Sequence, residues 1–198
     1  MKNYLHPHYL YVFQKKHVGF FWKYINIFFA TYWKVKIGRN VSFYGKTYFK
    51  TLPNSAITIG DNCRFNSTKT SNLIGLYCPC MLSTLKKSAS IIIGNNCGFS
   101  GTVIASAKSI IIGNNVRCGA NTLITDTDWH TDDYRVSEDK SVCIEDNVWL
   151  GYGVKVLKGV SIGKNSLIGA CSVVTKDIPP NVVAAGNPCR IIKELKNK

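Results

Sequence analysis

Six aliphatic residues near the C-terminus, Ile144, Leu150, Val156, Ile162, Ile168 and Val174, each follow the last by six positions. An amphipathic helix repeats its apolar positions every 3.6 residues and a half-buried strand every second one, so neither produces this spacing. A chain wound into a triangular coil does, because each flat face sends one aliphatic side chain inward. The beat therefore restricts the fold to an all-β solenoid of parallel strands.

Upstream the beat starts and falters. Ile37, Phe43 and Phe49 are six apart, Pro53-Asn54 marks a turn or bulge, and Ile59 and Phe65 resume the count. Residues 66–90 are the least regular stretch, although Leu73-Ile74-Gly75 hints at a hexad inside it. Order returns at Ile93 and Phe99. Ser90-Ile91-Ile92-Ile93-Gly94-Asn95-Asn96 then recurs as Ser109-Ile110-Ile111-Ile112-Gly113-Asn114-Asn115, nineteen residues on, which is one coil of three hexads plus one residue. Ile112, Cys118 and Ile124 continue the phase. Gly follows the aliphatic residue in Ile59-Gly60, Ile93-Gly94, Ile112-Gly113, Leu150-Gly151, Ile162-Gly163 and Ile168-Gly169, often with Asn or Asp next. These are the expected corners, where the backbone takes conformations that Gly and Asn tolerate.

The length of 198 residues suits one domain, and 45% hydrophobic residues mark it as globular. Of the eight cysteines, Cys63 and Cys97 lie four residues after Ile59 and Ile93, a slot filled elsewhere by Val116, Thr122, Val148, Val154, Val160, Ser166 and Ser172. Cysteine there is a small inward filler. Cys78-Pro79-Cys80 lacks a matching second pair or histidines, so no metal site is expected, and the chain reads as reduced and cytoplasmic. The net charge of +14 calls for an anionic partner. No nucleic-acid motif is present and the cations are scattered among turns, so a phosphate-rich cofactor or an anionic membrane surface is the better expectation.

Residues 1–34 read as a basic, aromatic helical segment preceding a coil domain at 35–198. No apolar core with a small-residue cleavage site marks a signal peptide, and Lys23 and Asn26 interrupt the aromatic run before it could span a bilayer. Phe21, Tyr24, Ile25, Phe28 and Tyr32 follow helical spacing. Such a helix packs on the first coil or a neighbouring subunit, or else, with Lys15, Lys16, Lys23, Lys34 and Lys36 around Trp22 and Trp33, lies on a membrane surface as a peripheral anchor.

Four segments carry a family resemblance: Asp146-Asn147-Val148-Trp149-Leu150-Gly151, Gly159-Val160-Ser161-Ile162-Gly163, Val173-Val174-Thr175-Lys176-Asp177-Ile178-Pro179-Pro180-Asn181, and Ala185-Gly186-Asn187-Pro188-Cys189-Arg190-Ile191-Ile192. They resemble the hexapeptide-repeat acyltransferases, in the branch of galactoside, maltose and capsular-polysaccharide O-acetyltransferases. The likeness extends over about residues 35–194 and is specific from 90. It implies a left-handed parallel β-helix, an exception to the right-handed crossover rule, with a short C-terminal cap or helix. It also implies acetyl-CoA as co-substrate, direct transfer without an acyl-enzyme, and a homotrimer with sites between subunits.

The beat breaks where chemistry is expected. The position six after Ile124 is His130, and Ile144 restarts the count only twenty residues after Ile124. Residues 131–141 hold a single aliphatic side chain and should leave the coil as a loop. His130 stands at its mouth, after Thr125-Asp126-Thr127-Asp128-Trp129, much like the family segment that ends in the catalytic histidine. A sugar hydroxyl is a poor nucleophile toward a thioester, and neutral imidazole can take its proton and return it to the leaving thiolate. Asp126 or Asp128 is the candidate to orient the imidazole, each also readable as a turn or solvated acid. A cysteine nucleophile, Cys118 or Cys143, competes but has no paired base.

Ser100, Trp149 and Arg135 are candidates for the acceptor side. The stretch Phe99–Ser106 carries serines where the family has an Asn and an Asp at the sugar, a departure that counts against galactoside or maltose specificity. By the resemblance, acyl-CoA runs along coil edges past Gly151, Gly169, Ala170 and the Asn187-Pro188 turn, with Lys176 and Arg190 available to its phosphates. The implied function is acetyl-CoA-dependent O-acetylation of a saccharide in surface-glycan assembly. Acetylation of an antibiotic or an amino sugar, or an acetyl-CoA-binding scaffold, is the alternative. A carbonic-anhydrase-like site would need three histidines, whereas only His130 among His6, His8, His17 and His130 lies in the repeat.

Overall fold

A computed structural model describes residues 7–130 and 132–195. Residues 1–6, Thr131 and residues 196–198 lie outside the described residues, as do the side chains of Lys15 and Lys16. From Lys36 on, the chain winds as a parallel β-helix whose coils contribute in turn to three sheets of six, eight and six strands, called faces A, B and C. Face A runs from Lys36–Ile37 to Ser161–Ile162, face B from Ser42–Tyr44 to Cys189–Glu194, and face C from Tyr48–Lys50 to Val173–Val174.

The beat residues stack in register up the inside of each face. Face A aligns Ile37, Ile59, Ile93, Ile112, Ile144 and Ile162. Face B aligns Phe43, Phe65, Phe99, Cys118, Leu150, Ile168 and Ala184. Face C aligns Phe49, Leu82, Ile104, Ile124, Val156 and Val174. All but the half-buried Ile37 belong to the buried core, and burial of each large side chain contributes about 1.5–3 kcal/mol. The phenylalanines of face B stack with centroids 5.2 Å apart for Phe43 and Phe65 and 4.9 Å for Phe65 and Phe99.

The aligned rungs explain the nineteen-residue repeat. Phe99 to Ile104 takes five residues and Ile104 to Ile112 takes eight, where the regular step from Val156 to Ile162 takes six. The surplus lies at the corner between faces C and A, over residues 105–108. That corner also releases the longer excursion after Ile124.

Gly and Asn divide the corner work differently from the expectation. The left-handed conformation falls to Asn40, Asn62, Asn96, Asn115, Asn147, Asn165 and Asn181, stacked along the corner between A and B. The preceding glycines have ordinary φ and serve close approach: a Cβ on Gly60 would stand 2.6 Å from the Gly94 carbonyl oxygen.

Three elements depart from the hexad. An α-helix spans Pro7–Tyr32 and ends with Lys34 at φ 55° and the Val35 N–H bonded to the Ala30 carbonyl at 2.8 Å. Asn26 docks it on the first coil: its amide donates to the Gly45 carbonyl at 3.0 Å and its Oδ1 accepts from the Thr47 N–H at 2.7 Å. Trp22, Ala30 and Trp33 share this face, whereas Phe21, Tyr24, Phe28 and Tyr32 point outward and only Ile25 of the expected stripe is half-buried. Second, Leu73-Ile74-Gly75 is not a hexad but part of a loop leaving the corner between B and C. The loop reaches along that edge until the Tyr77 N–H meets Asn121 Oδ1 at 2.9 Å and its ring meets Tyr152 edge-on. Third, the C-terminal cap is no helix: Val182–Gly186 and Cys189–Glu194 form an antiparallel hairpin whose first strand extends face B.

Candidate active site

The corner between faces C and A is built around a buried carboxylate. After the strand Leu123–Thr125 the chain turns inward at Asp126, which is fully buried. Its Oδ1 accepts the Ala107 N–H at 2.6 Å, and its Oδ2 accepts the Lys108 N–H at 2.9 Å and the Ser106 hydroxyl at 2.7 Å. Its own carbonyl accepts the Lys140 N–H at 3.1 Å, which closes the base of the excursion. The carboxylate thus welds the enlarged corner of the preceding coil to this one. That is a correction to its candidacy as orienter of the imidazole, because both oxygens are engaged away from His130.

His130 stands exposed at the mouth of the excursion. It is presented by Trp129 at φ +73°, a conformation that costs a bulky aromatic residue free energy and survives where the surroundings enforce it. The His130 N–H donates to the Asp128 carbonyl at 2.9 Å, tightening the turn. The Asp128 carboxylate pairs instead with Lys158 Nζ at 2.5 Å, and Lys158, only 12% exposed, also donates to the Ser137 carbonyl at 2.7 Å. Among the described residues none hydrogen-bonds the His130 imidazole, so neither carboxylate holds it in the single chain.

A second pair anchors the far end of the loop. Asp139, 10% exposed, accepts from Lys86 Nζ at 2.5 Å. Burial pushes its carboxyl up, but the Lys86 and Thr127 side-chain hydrogen bonds and the Lys86 and Lys158 charges outweigh it and hold the pKa below the usual value. Lys158, Lys86 and Asp139 were not singled out by sequence. The available signal was coil arithmetic, since Lys158 follows Val156 into the same corner one coil later.

The remaining candidates fall elsewhere on the prism. Trp149 projects from face B, in register with Arg117 and Leu167 and half exposed, across the prism from the His130 corner. Ser100 is buried at the end of a face B strand, accepting from the Asn66 and Asn72 amides at 3.1 and 3.2 Å. Gly151, Gly169 and Ala170 line the corner between B and C, and the hairpin turn with its cis Asn187-Pro188 bond extends beyond the same face. A Cβ on Gly151 would lie 2.7 Å from the Ala170 nitrogen, so close packing of the coils keeps that position free of a side chain, while the Tyr77 and Tyr152 rings meet farther along the same edge. Arg190, on the hairpin, is exposed and donates to the Cys189 carbonyl at 2.9 Å. Lys176 is exposed beyond the last face C strand. Arg135 lies in the excursion and chelates Asp133 through Nε at 2.9 Å and Nη2 at 2.5 Å. One chain therefore offers a base at one corner and, at another, glycine positions where a ligand can reach the backbone.

The two cysteines considered as nucleophiles, Cys118 and Cys143, are poorly suited to the role. Burial pushes Cys118 and Cys143 up, and Cys80 up to about 11, which disfavours the reactive thiolate. Cys78 and Cys80 donate to the Gly101 and Asn66 carbonyls at 3.4 and 3.3 Å. Among the described residues no group of three or more His, Cys, Asp or Glu side chains is arranged to hold a metal ion.

Residues 144–176 match the family described as bacterial transferase hexapeptide (six repeats). A galactoside O-acetyltransferase of Lactococcus lactis subsp. lactis is 53% identical over 93 residues, 44% of either chain. The galactoside O-acetyltransferase of Escherichia coli K12 is 60% identical over 57 residues, 29% of this chain and 28% of that one, so this chain spans under half the length of the curated relatives it matches. Among solved structures, a galactoside acetyltransferase in complex with coenzyme A superposes with a TM-score of 0.51 at 30% identity, covering 81% of this chain and 65% of that one.

Proposed function

We propose that the chain is a hexapeptide-repeat acyltransferase, as its matches to that family support, and that it transfers an acetyl group from acetyl-CoA to a saccharide hydroxyl, with His130 as general base. The observation that carries the reading is His130 itself: the only histidine of the coil, exposed on a strained turn where the hexad opens. Imidazole takes the hydroxyl proton as the sugar oxygen attacks the thioester carbonyl. The tetrahedral adduct then collapses, the C–S bond breaks, and the thiolate recovers the proton from imidazolium, leaving an acetate ester and free thiol. Burial raises the thiols of Cys118 and Cys143, the two candidate nucleophiles, and so supports direct transfer over an acyl-enzyme at either.

Acetyl-CoA fits the edge at Gly151, Gly169, Ala170 and the Asn187-Pro188 turn, where a pantetheine arm can approach backbone, with Lys176 and Arg190 for its phosphates. That edge and Trp149 lie away from the His130 corner of their own chain. A site that uses both needs a neighbouring copy, which supports the homotrimer. Asp128 orients the imidazole only if the partner chain or substrate draws it from Lys158. The acceptor belongs to a surface glycan such as capsule or lipopolysaccharide, and the reaction runs in the cytoplasm, where acetyl-CoA is available.

Thiol release from acetyl-CoA across hydroxyl and amine acceptors, comparing wild type with His130→Ala, tests this reading. A fall in kcat of roughly 10²–10⁴ is expected. Undiminished turnover in the variant overturns the base assignment, preference for amines overturns O-acetylation, and binding of acetyl-CoA without turnover on any acceptor points to the scaffold.

A further inference from the structure

The charge of the chain is segregated. Residues 1–60 hold nine Lys or Arg and no Asp or Glu, so +9 of the net +14 falls in the first 60 residues, eight of those cations within the helix and first coil. The outward face of the helix is the most apolar exposed surface there: Phe20 is 65% exposed, Phe21 59%, Tyr24 58%, Ile27 38%, Phe28 68% and Tyr32 71%. These positions recur at helical spacing on the side opposite Trp22, Asn26 and Ala30, so they stay outside after the helix has docked. Monomeric proteins rarely leave so many contiguous aromatics in water.

We propose that this face seats the protein on an anionic lipid surface, with the helix lying in the plane of the interface. Aromatic rings suit the boundary between headgroup and acyl chain, and cations nearby are attracted to lipid phosphates. Lys23 is on the same helix, and Lys34, Lys36, Lys46 and Lys50 follow on the coil it covers. The helix–coil junction adds an open groove of about 400 Å³ lined mainly by Phe29, Trp33, Tyr48 and Met81, with Lys46 and Lys50 among its walls. No helix among the described residues is long and apolar enough to cross a bilayer, so the seat is peripheral. A second copy of this face is the poorer occupant, because it would bring two cation-rich segments together with no acid from either. A membrane seat also suits an enzyme whose acceptor glycan is lipid-linked, but its readout is independent of acetyl transfer.

The test is co-sedimentation of the full chain with vesicles rich in phosphatidylglycerol and with phosphatidylcholine vesicles, beside a variant carrying Phe21→Ser, Tyr24→Ser and Phe28→Ser. All three side chains are exposed, and circular dichroism verifies that the variant folds. Wild type should bind the anionic vesicles in a salt-sensitive manner, and the variant should partition roughly tenfold less or weaker still. Equal binding by the two proteins overturns the proposal. So does absence of wild-type binding, and if the variant then also loses oligomeric mass in sedimentation equilibrium, the face is a subunit contact.

Discussion

Asp126→Ala should be among the most damaging polar substitutions in this coil, although no substrate atom is involved. The carboxylate accepts the Ala107 and Lys108 N–H groups and the Ser106 hydroxyl. The Ala107 donor is buried, and orphaning it costs about 1–3 kcal/mol; losing the two remaining charge-assisted bonds, whose donors can partly turn elsewhere, adds about 1 kcal/mol each. The sum is about 3–5 kcal/mol, at the upper end for single substitutions. Asp126→Asn should cost less, about 1–2 kcal/mol. The Ser106 hydroxyl also lies 3.0 Å from the Ser90 carbonyl, so it can donate there and accept from the new amide, leaving only the Lys108 N–H without an acceptor. Urea unfolding at fixed protein concentration measures both. A loss under about 1 kcal/mol for Asp126→Ala, or equal losses for the two variants, would falsify the welding role.

Four further sites in the coil have measurable outcomes. Asp139 has a depressed pKa in the folded chain, so its contribution is present above the ordinary carboxyl value and is lost as pH falls through the folded value. Between pH about 5 and 3, wild type should lose more stability than Asp139→Asn, and superimposable acid-unfolding curves would contradict this. Gly60→Ala should destabilise by about 1–3 kcal/mol or more because its Cβ meets the backbone of the next coil. Asn96→Gly, at φ 59°, should be nearly neutral while Asn96→Ala costs about 1–2 kcal/mol, and thermal melts of the three distinguish close approach from handedness. Phe65→Ala removes the middle ring of the stack and should cost about 3–5 kcal/mol, against under about 1.5 kcal/mol for a volume-preserving Phe65→Met that repacks between Phe43 and Phe99; calorimetry that ranks them the other way refutes the packing account.

The helix shows how a local reading can find an element and misplace its faces. Phe21, Tyr24, Phe28 and Tyr32 have the spacing of a buried stripe, but the buried side is the one with Asn26, whose amide satisfies Gly45 and Thr47 on the coil. Periodicity reports that two faces differ, and only the partner surface decides which one is covered. Asp126 is a similar case. Beside a histidine it reads as a catalytic carboxylate, until the backbone of residues 106–108, almost twenty positions earlier, comes within reach of it.

Sequence alone determined the solenoid, the inward ladder from Ile37 to Val174 except for Leu82 and Ile104, where the count slips, and the interruption at His130, because a period of six is a local property that each regular coil repeats. Tertiary structure decided which edge each group occupies: His130 at the corner between C and A, Gly151 and Gly169 at the corner between B and C, and Trp149 on face B, opposite the His130 corner. Residues twenty apart can share a corner or stand on opposite sides of the prism, depending on how many residues each corner absorbs. Those counts are set by long-range contacts such as Asp126 with Ala107 and Lys158 with Asp128, which no window of the sequence contains.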